Sequence, residues 1–400
     1  HPIAIIPRHP VGLPSLFGGL TGFSMFIDWL TISQEHDHDL PIVGNIVHLT
    51  VDENTNQVLS TCRPRFKHEG SFSTSITIHI QGRKIRVEGN PSRVGRLDNL
   101  FGHQTIEQCV SVYNALLREY GLPGFSRCTR LDIRQGVSGA KSGDRIADGA
   151  KIERIDLTTN VALGEGNVIA YLRGVSSQRI GHSIGFLYPN GRTVAWTPKG
   201  NGKGGRLQYR KAYDKAFEME QNCLPKIKRV FGESSEEYKY VKRVRDYCAQ
   251  EGVVRMEQEL KSEFLQREAL CYWGLFDERR LAELHSEFLK IDEKLKVTAM
   301  DIVSISEQLL AENIVDSTRS ANTTAMYAIQ WMTGQRFDFA KKQVQTHAAR
   351  LNKIGINIRN ACDTSRFAPV FVRQCREVTK STLAVPVWYQ RANHLQQVAA

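Results

Sequence analysis

The order of segment types along the chain constrains its fold more than any other feature. Between residue 25 and about residue 210, short runs rich in β-branched and aromatic residues are bounded by Gly, Pro and Asn, which is the pattern of strands joined by turns. Beyond about residue 210, apolar residues mostly recur at helical spacing over longer segments. Strands grouped ahead of helices predict an α+β fold, with a mainly antiparallel sheet domain followed by a helical C-terminal region.

Individual strands and one helix can be predicted in the first half of the chain. The predicted strands are MFIDWLTI, IVHLTVD, STSITIHI, KIRVEGN, CTRLDIRQGV and GRTVAWTP. A helix over TIEQCVSVYNALLREYGLPG interrupts them, with Thr105 as its cap and Gly121 and Pro123 at its end. We therefore expect this helix to cover one side of the sheet.

The chain divides into three parts in this interpretation. Residues 1–24 contain no Met, are rich in Pro and Gly, and lack the basic start and apolar centre of a signal peptide, so we interpret them as a non-native or disordered extension ahead of Met25. Residues 25–290 form the first domain. Residues 320–400 form the helical C-terminal domain, with a linker at 290–320, where AENIVDSTRSANTT is polar.

Charge and cysteine usage bound the class of function. The chain has 53 Lys and Arg against 42 Asp and Glu, and this net charge of +11 favours a polyanionic partner, most simply nucleic acid. No apolar run approaches the roughly 18–20 residues of a membrane span, so we expect no membrane partner. The eight cysteines are scattered without a CxxC pair, which indicates a reduced, cytoplasmic protein without structural zinc.

The segment RLQYRKAYDKAFEME (206–220) carries two tyrosines among basic residues. A tyrosine that nicks DNA needs a cation or metal at the scissile phosphate and a group that accepts the phenol proton. On a helix, Tyr209 and Tyr213 share a face while Lys211 and Lys215 share another, so Lys215 flanks the phenol only if the segment is bent or extended. The alternative is a charged helix whose tyrosines pack on the sheet.

Two further segments combine carboxylates with basic residues. On a strand over CTRLDIRQGV, Arg130, Asp132 and Arg134 share a face, which suits a carboxylate that holds Mg²⁺ or Mn²⁺ beside phosphate-binding arginines; the alternative is a solvated local ion pair. On a strand over VVRMEQELKSEFL, Glu257 shares a face with Arg255, Glu259 and Lys261. These carboxylates either join Asp132 at a metal or belong to a solvated amphipathic element.

These segments occur in an order that resembles a known family. MFIDWLTI, IRVEGNPSRVGRLDNLFG, TRLDI, GRTVAW, KAYDKAFEME and VVRMEQELKS are similar to the gene II type replication initiators of filamentous bacteriophages, which are relatives of the HUH endonucleases. The resemblance runs through residues 25–270, and its most specific parts are residues 89–102 and TRLDI. The stretch AIQWMTGQRFDF…HAARLNKIGINI…VPVWYQ resembles the family's C-terminal, gene X type part.

The resemblance implies a rolling-circle initiator acting in the host cytoplasm. Such a protein is a metal-dependent endonuclease that nicks one strand of double-stranded replicative-form DNA at the origin and forms a 5′-phosphotyrosine link. It later rejoins the displaced single strand. Mg²⁺ or Mn²⁺ is the implied cofactor, and phage DNA and host polymerase are the implied partners. In a further interpretation, the helical tail recruits a host helicase. The alternative is a non-catalytic DNA-binding regulator of phage replication.

The resemblance also assigns roles to residues. Tyr213 becomes the nucleophile, Lys215 its phosphate-side helper and Asp132 the metal-side carboxylate, with Glu257 as a second carboxylate. Tyr209 remains an alternative nucleophile, or a second tyrosine for the joining step. The candidate DNA-binding residues are Arg130, Arg134, Lys203, Arg206, Arg210 and Lys211. The sequence lacks the His-hydrophobic-His triplet of the wider HUH superfamily, so the metal ligands are predicted from motif position alone.

Overall fold

A computed structural model describes most of the chain: residues 24–41, 43–44, 48–62, 65–69, 75–133, 145–176, 178–292, 301–354, 356–359 and 380–390. The predicted extension at 1–24 lies outside these residues except for Ser24. The candidate DNA-binding residue Arg134 also lies outside them.

The secondary structure follows the predicted order, with strands first and helices later. The strands are β1 (Met25–Glu35), β2 (His48–Val51), β3 (Val58–Cys62), β4 (Phe66–Glu69), β5 (Ser75–Gln81), β6 (Lys84–Gly89), β7 (Leu131–Ile133), β8 (Arg145–Ala147), β9 (Lys151–Ala162), β10 (Arg179–Ile180), β11 (Ser183–Leu187), β12 (Thr193–Thr197), β13 (Gln208–Asp214), β14 (Val253–Lys261) and β15 (Ser381–Thr382). The helices are α1 (Ile106–Glu119), α2 (Val168–Ser176), α3 (Lys215–Glu218), α4 (Leu224–Phe231), α5 (Glu236–Gln250), α6 (Ser262–Arg267), α7 (Arg279–Leu289), α8 (Asp301–Ala311), α9 (Thr318–Met332) and α10 (Lys342–Lys353).

Eleven strands of the described chain form one sheet. Ten of them follow the order β10-β11-β12-β13-β14-β9-β1-β6-β5-β4, and β15 pairs with β9 through Ser381 and Thr382. All the pairings within this sheet are antiparallel. The predicted α+β class is confirmed, since this large antiparallel sheet precedes most of the helices.

Helices cover one side of the sheet along most of its width. Under β12, β13 and β14, alternate side chains such as Ala212, Val254 and Met256 are fully buried in a core that α2, α8, α9 and α10 complete. Under β1, β5 and β6, a second core is completed by α1 and α6. We call this side of the sheet the apolar face.

The predicted α1 helix has the cap that the sequence suggests. The Thr105 side chain accepts a hydrogen bond from the Gln108 backbone N–H, and the Gln108 side chain in turn accepts one from the Thr105 backbone. This reciprocal capping satisfies donors that the first turn of a helix leaves free. The chain leaves the helix at Gly121, whose φ of 66° lies in the left-handed region that glycine adopts without strain.

The helical interpretation of residues 206–214 is wrong. Within this segment, Gln208–Asp214 forms β13, which pairs with β12 on one side and β14 on the other. Tyr209 and Tyr213 are therefore two pleats apart on one strand, not one turn apart on a helix. The alternation is the physical cause, because Ala212 must enter the apolar core while the basic and phenolic residues on either side of it face the other way.

The C-terminal helices share a core with the sheet. Leu309, Ala325 and Leu351, from α8, α9 and α10, belong to the same buried cluster as Met256 of β14. The predicted division at 290–320 stays a prediction, and the described residues on its two sides are in contact. Within the described ranges, no helix combines the length and the apolar character that a membrane crossing requires.

Candidate active site

The side of the sheet opposite the apolar face carries a line of polar side chains across three adjacent strands. In the register, Tyr213 lies opposite Arg255, Lys211 opposite Glu257, and Tyr209 opposite Glu259. The next strand continues these rows, because Arg255, Glu257 and Glu259 lie opposite residues of β9. We call this surface the polar face, and its members are Tyr209, Lys211, Tyr213, Arg255, Glu257, Glu259, Asp156, Thr158 and Asn160.

The Tyr213 hydroxyl is hydrogen-bonded to a carboxylate on this face. It donates to Glu257 Oε2 at 3.1 Å, and Lys211 Nζ contacts Glu257 Oε1 at 2.9 Å. Burial raises the pKa of Tyr213 well above its usual range, so the phenol is neutral. Burial also opposes ionisation of Glu257, but the adjacent Lys211 and Arg255 cations outweigh it and hold the pKa of the carboxyl below its usual range. A neutral phenol therefore faces an ionised proton acceptor.

Chain geometry changes immediately after Tyr213. Asp214 ends β13, and its side chain accepts a hydrogen bond from the Phe217 backbone N–H at 3.0 Å, which caps α3. The helix begins at Lys215, so Tyr213 is on a strand while Lys215 is on a helix. The chain is therefore extended at Tyr213 and bends immediately after it. This is the geometry in which Lys215 was predicted to flank the phenol.

Lys215 is buried beside the polar face rather than exposed on a helix surface. Its Nζ donates to Asn99 Oδ1 at 3.1 Å and contacts Glu218 Oε2 at 2.7 Å. Asn99 in turn donates from Nδ2 to Asp28 Oδ1 at 2.9 Å, and Asn90 donates to the same oxygen at 2.9 Å. A hydrogen-bonded chain thus connects Lys215 to the Asp28 carboxylate of β1.

Arg255 is the most deeply buried cation of the site, with no exposed surface. Its Nε donates to Asn160 Oδ1 at 3.0 Å, and its Nη2 donates to the Asn99 carbonyl at 2.5 Å. Its Nη1 has no hydrogen-bond partner among the described residues and lies 3.8 Å from Asp28 Oδ1. A buried donor left unsatisfied calls for a partner, and a phosphate oxygen is one that guanidinium groups bind well.

Residues 90–103 form a loop beside β1, which we call the covering loop. The Ser92 hydroxyl donates to the Ile27 carbonyl and accepts from the His103 backbone N–H, both at 2.8 Å. Gly102 allows this close approach, because a Cβ there would lie 2.5 Å from the Phe26 ring. The covering loop supplies Asn90 and Asn99 to the site.

Oxygen ligands for a metal ion are present but few. Asn90 Oδ1 is buried without a hydrogen-bond partner in the described part of the chain, and the Asp28 carboxylate accepts from both covering-loop amides. Among the described residues, no three His, Cys, Asp or Glu side chains are grouped closely enough to hold a metal by themselves. Mg²⁺ is often held by one or two protein carboxylates together with substrate phosphates. Asp28 and Asn90 fit Mg²⁺ in that shared form only.

Asp132, the predicted metal-side carboxylate, lies elsewhere. It is on β7, which pairs with β8 in a separate two-stranded ribbon. Its side chain is 63% exposed, and Arg130 Nε lies 3.4 Å from Asp132 Oδ2. This geometry matches the solvated ion pair that the sequence analysis kept as the alternative. The structure does not bring Asp132 and Glu257 onto one sheet, and a metal role for Asp132 stays a prediction.

Tyr209 is on the polar face but has different partners from Tyr213. Its hydroxyl donates to the Gly202 carbonyl at 2.8 Å and lies 3.4 Å from the Tyr188 hydroxyl. Burial, together with Tyr188, raises the pKa of Tyr209. No carboxylate accepts its proton among the described contacts, which distinguishes it from Tyr213.

The predicted DNA-binding residues lie in different environments. Lys203 is exposed in the glycine-rich loop, and Arg206 is exposed with its Nε 2.8 Å from Glu263. Lys211 belongs to the site itself through Glu257. Arg210 alternates with Lys211 along β13 and therefore lies on the opposite side of the sheet, across from Gln258.

Several residues of the site were not identified from the sequence. Asp28, Asn90, Asn99 and Asn160 all touch the Lys215 or Arg255 network. Asp28 and the two covering-loop residues lie within MFIDWLTI and GNPSRVGRLDNLFG, the segments on which the family resemblance rests. The motifs therefore marked the segments that contain these residues. They do not show the long-range pairing of β1, β9 and β14 that brings the residues together.

Comparison with known proteins identifies the class. Residues 25–286 match the family described as Replication-associated protein G2P N-terminal, and residues 309–395 match the family described as Replication-associated protein G2P C-terminal. The chain is a filamentous-phage replication protein and belongs to the G2P family. The resemblance to gene II type proteins is confirmed.

One relative shows how far the similarity extends. Over 322 residues the chain is 50% identical to Replication-associated protein G2P of Escherichia phage If1, an alignment that spans 80% of this chain and 99% of that protein. No solved structure matches the chain.

Proposed function

We propose that this protein initiates rolling-circle replication by nicking one strand of replicative-form DNA with Tyr213. The observation that carries the proposal is the hydrogen bond from the Tyr213 hydroxyl to the ionised Glu257, in a setting that includes Lys211, Arg255 and Lys215. Membership of a replication-associated family makes phage DNA the natural substrate. The net charge of +11 suits binding to a phosphate backbone.

The chemistry assigns a role to each group. The Tyr213 oxygen attacks the scissile phosphorus as its proton passes to Glu257, the P–O3′ bond breaks, and the leaving oxygen takes a proton from solvent water to become a 3′-hydroxyl. The DNA 5′ end is then linked to Tyr213 as a phosphotyrosine. Attack of a 3′-hydroxyl on this link, with the proton moving in reverse, rejoins the strand and frees the phenol.

The cations of the site stabilise charge on the phosphate. Arg255 Nη1, which has no hydrogen-bond partner among the described residues, would donate to a phosphate oxygen, and Lys215 would add a buried positive charge on the far side of Asn99. Asp28 and Asn90 would hold Mg²⁺ or Mn²⁺ jointly with the DNA. A bound cation there would polarise the scissile phosphate as a Lewis acid.

A cleavage assay tests the proposal. Supercoiled replicative-form DNA carrying the phage origin is incubated with protein and Mg²⁺ or Mn²⁺, and the products are separated on denaturing gels before and after protease treatment. Wild type is expected to yield nicked DNA with a protein-linked 5′ end. Tyr213→Phe is expected to bind the origin but to yield no link, while Tyr209→Phe retains it.

The other outcomes redirect the proposal. Loss of the link only in Tyr209→Phe would keep the function and move the nucleophile two pleats along β13. Origin binding by wild type without nicking in either metal would favour the non-catalytic regulator instead.

A further inference from the structure

The last described segment of the chain, residues 380–390, returns to the N-terminal half of the protein. We call it the C-terminal strap. It begins at β15 on β9 and ends with Tyr389 buried against the covering loop. We propose that Tyr389 is a positioning residue, which holds the covering loop so that Asn99 and its neighbours orient Lys215 and Arg255. This inference rests on the proposed function and identifies a determinant of its rate outside the polar face.

The Tyr389 hydroxyl is hydrogen-bonded to three groups of the covering loop. It donates to Asp98 Oδ1 at 2.6 Å, and it accepts from the Arg96 guanidinium and from the Phe101 backbone N–H, the latter at 3.3 Å. Its ring meets the Phe101 ring edge-on, with centroids 5.0 Å apart. One side chain of the strap therefore fixes both ends of the segment 96–101.

The segment that Tyr389 fixes contains the groups that hold the catalytic cations. Asn99 follows Asp98 directly and contacts Lys215 and Asp28 through its side chain. The carbonyls of Asn99 and Leu100 accept from Arg255 at 2.5 and 3.3 Å. Tyr389 is thus separated from the site by a single layer of residues, the arrangement by which supporting hydrogen bonds orient functional groups in other sites.

The strap is itself anchored, so it can act as a fixed support. Helix α5 provides the anchor: Tyr240 accepts from the Gln390 backbone N–H at 3.2 Å, and it also donates to Asp98 Oδ2 of the covering loop at 3.1 Å. Tyr247 donates to the Ala384 carbonyl at 2.8 Å. The Trp388 ring lies under the Arg243 guanidinium, 4.2 Å from its centroid. These contacts hold Tyr389 in place when the covering loop moves.

The test compares two tyrosine-to-phenylalanine variants. Tyr389→Phe removes the hydroxyl and leaves the ring in place. Tyr171→Phe is the matched control, because Tyr171 is also buried in the core of the apolar face and donates to a carboxylate, Asp292 Oδ2 at 2.9 Å, while the other oxygen of Asp292 still binds Lys380 of the strap. For each full-length variant we would measure thermal unfolding, origin affinity, the single-turnover nicking rate, and backbone hydrogen exchange in residues 96–103.

The expected result is a separation of rate from binding. Tyr389→Phe should nick about tenfold or more slowly, the range typical of lost supporting hydrogen bonds, with origin affinity within about twofold of wild type. Hydrogen exchange should accelerate in residues 96–103. Tyr171→Phe should lose comparable thermal stability and keep the wild-type nicking rate and exchange.

Two results would overturn the inference. The first is a nicking rate for Tyr389→Phe equal to that of Tyr171→Phe, which would make the strap purely structural. The second is unchanged exchange in residues 96–103, which would mean that Tyr389 does not hold the loop. Were wild type itself unable to nick, the proposed function would fail, and hydrogen exchange would still decide whether Tyr389 fixes the loop.

Discussion

The Tyr213 hydroxyl and Glu257 are in contact, and their surroundings keep the phenol protonated and the carboxylate ionised. Both groups are desolvated, which favours the neutral phenol and penalises the charged carboxylate. The neighbouring cations, with a smaller contribution from the Tyr213 hydrogen bond, hold the pKa of Glu257 below its usual range and keep it ionised. At the residue scale, the proposed chemistry therefore depends on Lys211 and Arg255 as much as on the acceptor itself.

Replacing the acceptor should slow nicking without releasing DNA. We expect Glu257→Gln to lower the single-turnover nicking rate by about 10²–10⁴-fold, the range for loss of a general base, because an amide accepts a hydrogen bond but not the proton. Glu259→Gln is the control, since Glu259 lies on the same face and instead pairs with Arg154 at 3.4 Å. Equal rates for the two variants would remove Glu257 from the mechanism.

The position of the metal-side carboxylate can be decided by titration. We expect Asp28→Asn to raise the Mn²⁺ concentration for half-maximal nicking by about tenfold or more, because an amide oxygen lacks the charge that hard cations prefer. The variant keeps an oxygen that can accept from Asn90 and Asn99. Asp132→Asn should leave the titration unchanged, and the reverse pattern would support the metal role predicted for Asp132.

At the scale of elements, the turn from β13 into α3 is the feature that brings Tyr213 and Lys215 together. Asp214 stabilises it in two ways, as the cap of α3 and as the partner of Arg192 at 2.5 Å. The capping signal was present in the sequence as an Asp ahead of KAFE. This signal alone does not predict the turn, because the surrounding charges and the spacing of the two tyrosines are equally compatible with one long helix.

Loss of this cap should affect activity more than loss of another cap. We expect Asp214→Ala to lower the free energy of unfolding by about 1–2 kcal/mol and to slow nicking, since a frayed turn displaces Lys215. Thr105→Ala removes the capping box of α1 and should cause a similar stability loss with little change in nicking. Denaturant unfolding and single-turnover rates measure both, and equal rates would show that the turn is not critical.

Local patterns predicted most elements, but not which of them meet. β1, β2, β5, β6, β12 and α1 were predicted from alternation, helical spacing and caps, and the face of β14 that carries Glu257 followed from period two. Asp28, Asn90 and Asn99 could not be assigned, because they reach Lys215 and Arg255 only through antiparallel pairing between distant segments. For β13, tertiary pairing on both edges overrode the helical propensity of its Lys, Ala and Arg residues.

At the scale of the whole molecule, the two sides of the sheet have different roles. The apolar face binds the C-terminal helices to the sheet in one core, and the polar face carries the candidate site. His285 of α7 is buried on the apolar face, with Nδ1 3.2 Å from Gln258 Oε1 and Nε2 3.1 Å from Thr159 Oγ1. Burial, aided by Arg210, lowers its pKa to about 3.

His285 should make the fold sensitive to acid. Above its unfolded pKa of about 6.5 the residue is neutral in both states; as pH falls from there toward about 3, only the unfolded state gains the proton, so stability is lost. We expect His285→Gln to flatten the decline of the unfolding free energy between about pH 6.5 and pH 4. His182→Gln, at an exposed histidine, should leave the decline as in wild type. A decline unaltered by His285→Gln would assign the acid sensitivity to other groups.

The most direct test of the central claim is to identify the residue that carries the DNA. Wild-type protein would be reacted with origin DNA and Mn²⁺, digested with nuclease and protease, and the nucleotide-bearing peptide sequenced by mass spectrometry. We predict a single adduct on Tyr213. An adduct on Tyr209 or on any other residue, or nicking with no adduct, would contradict the account.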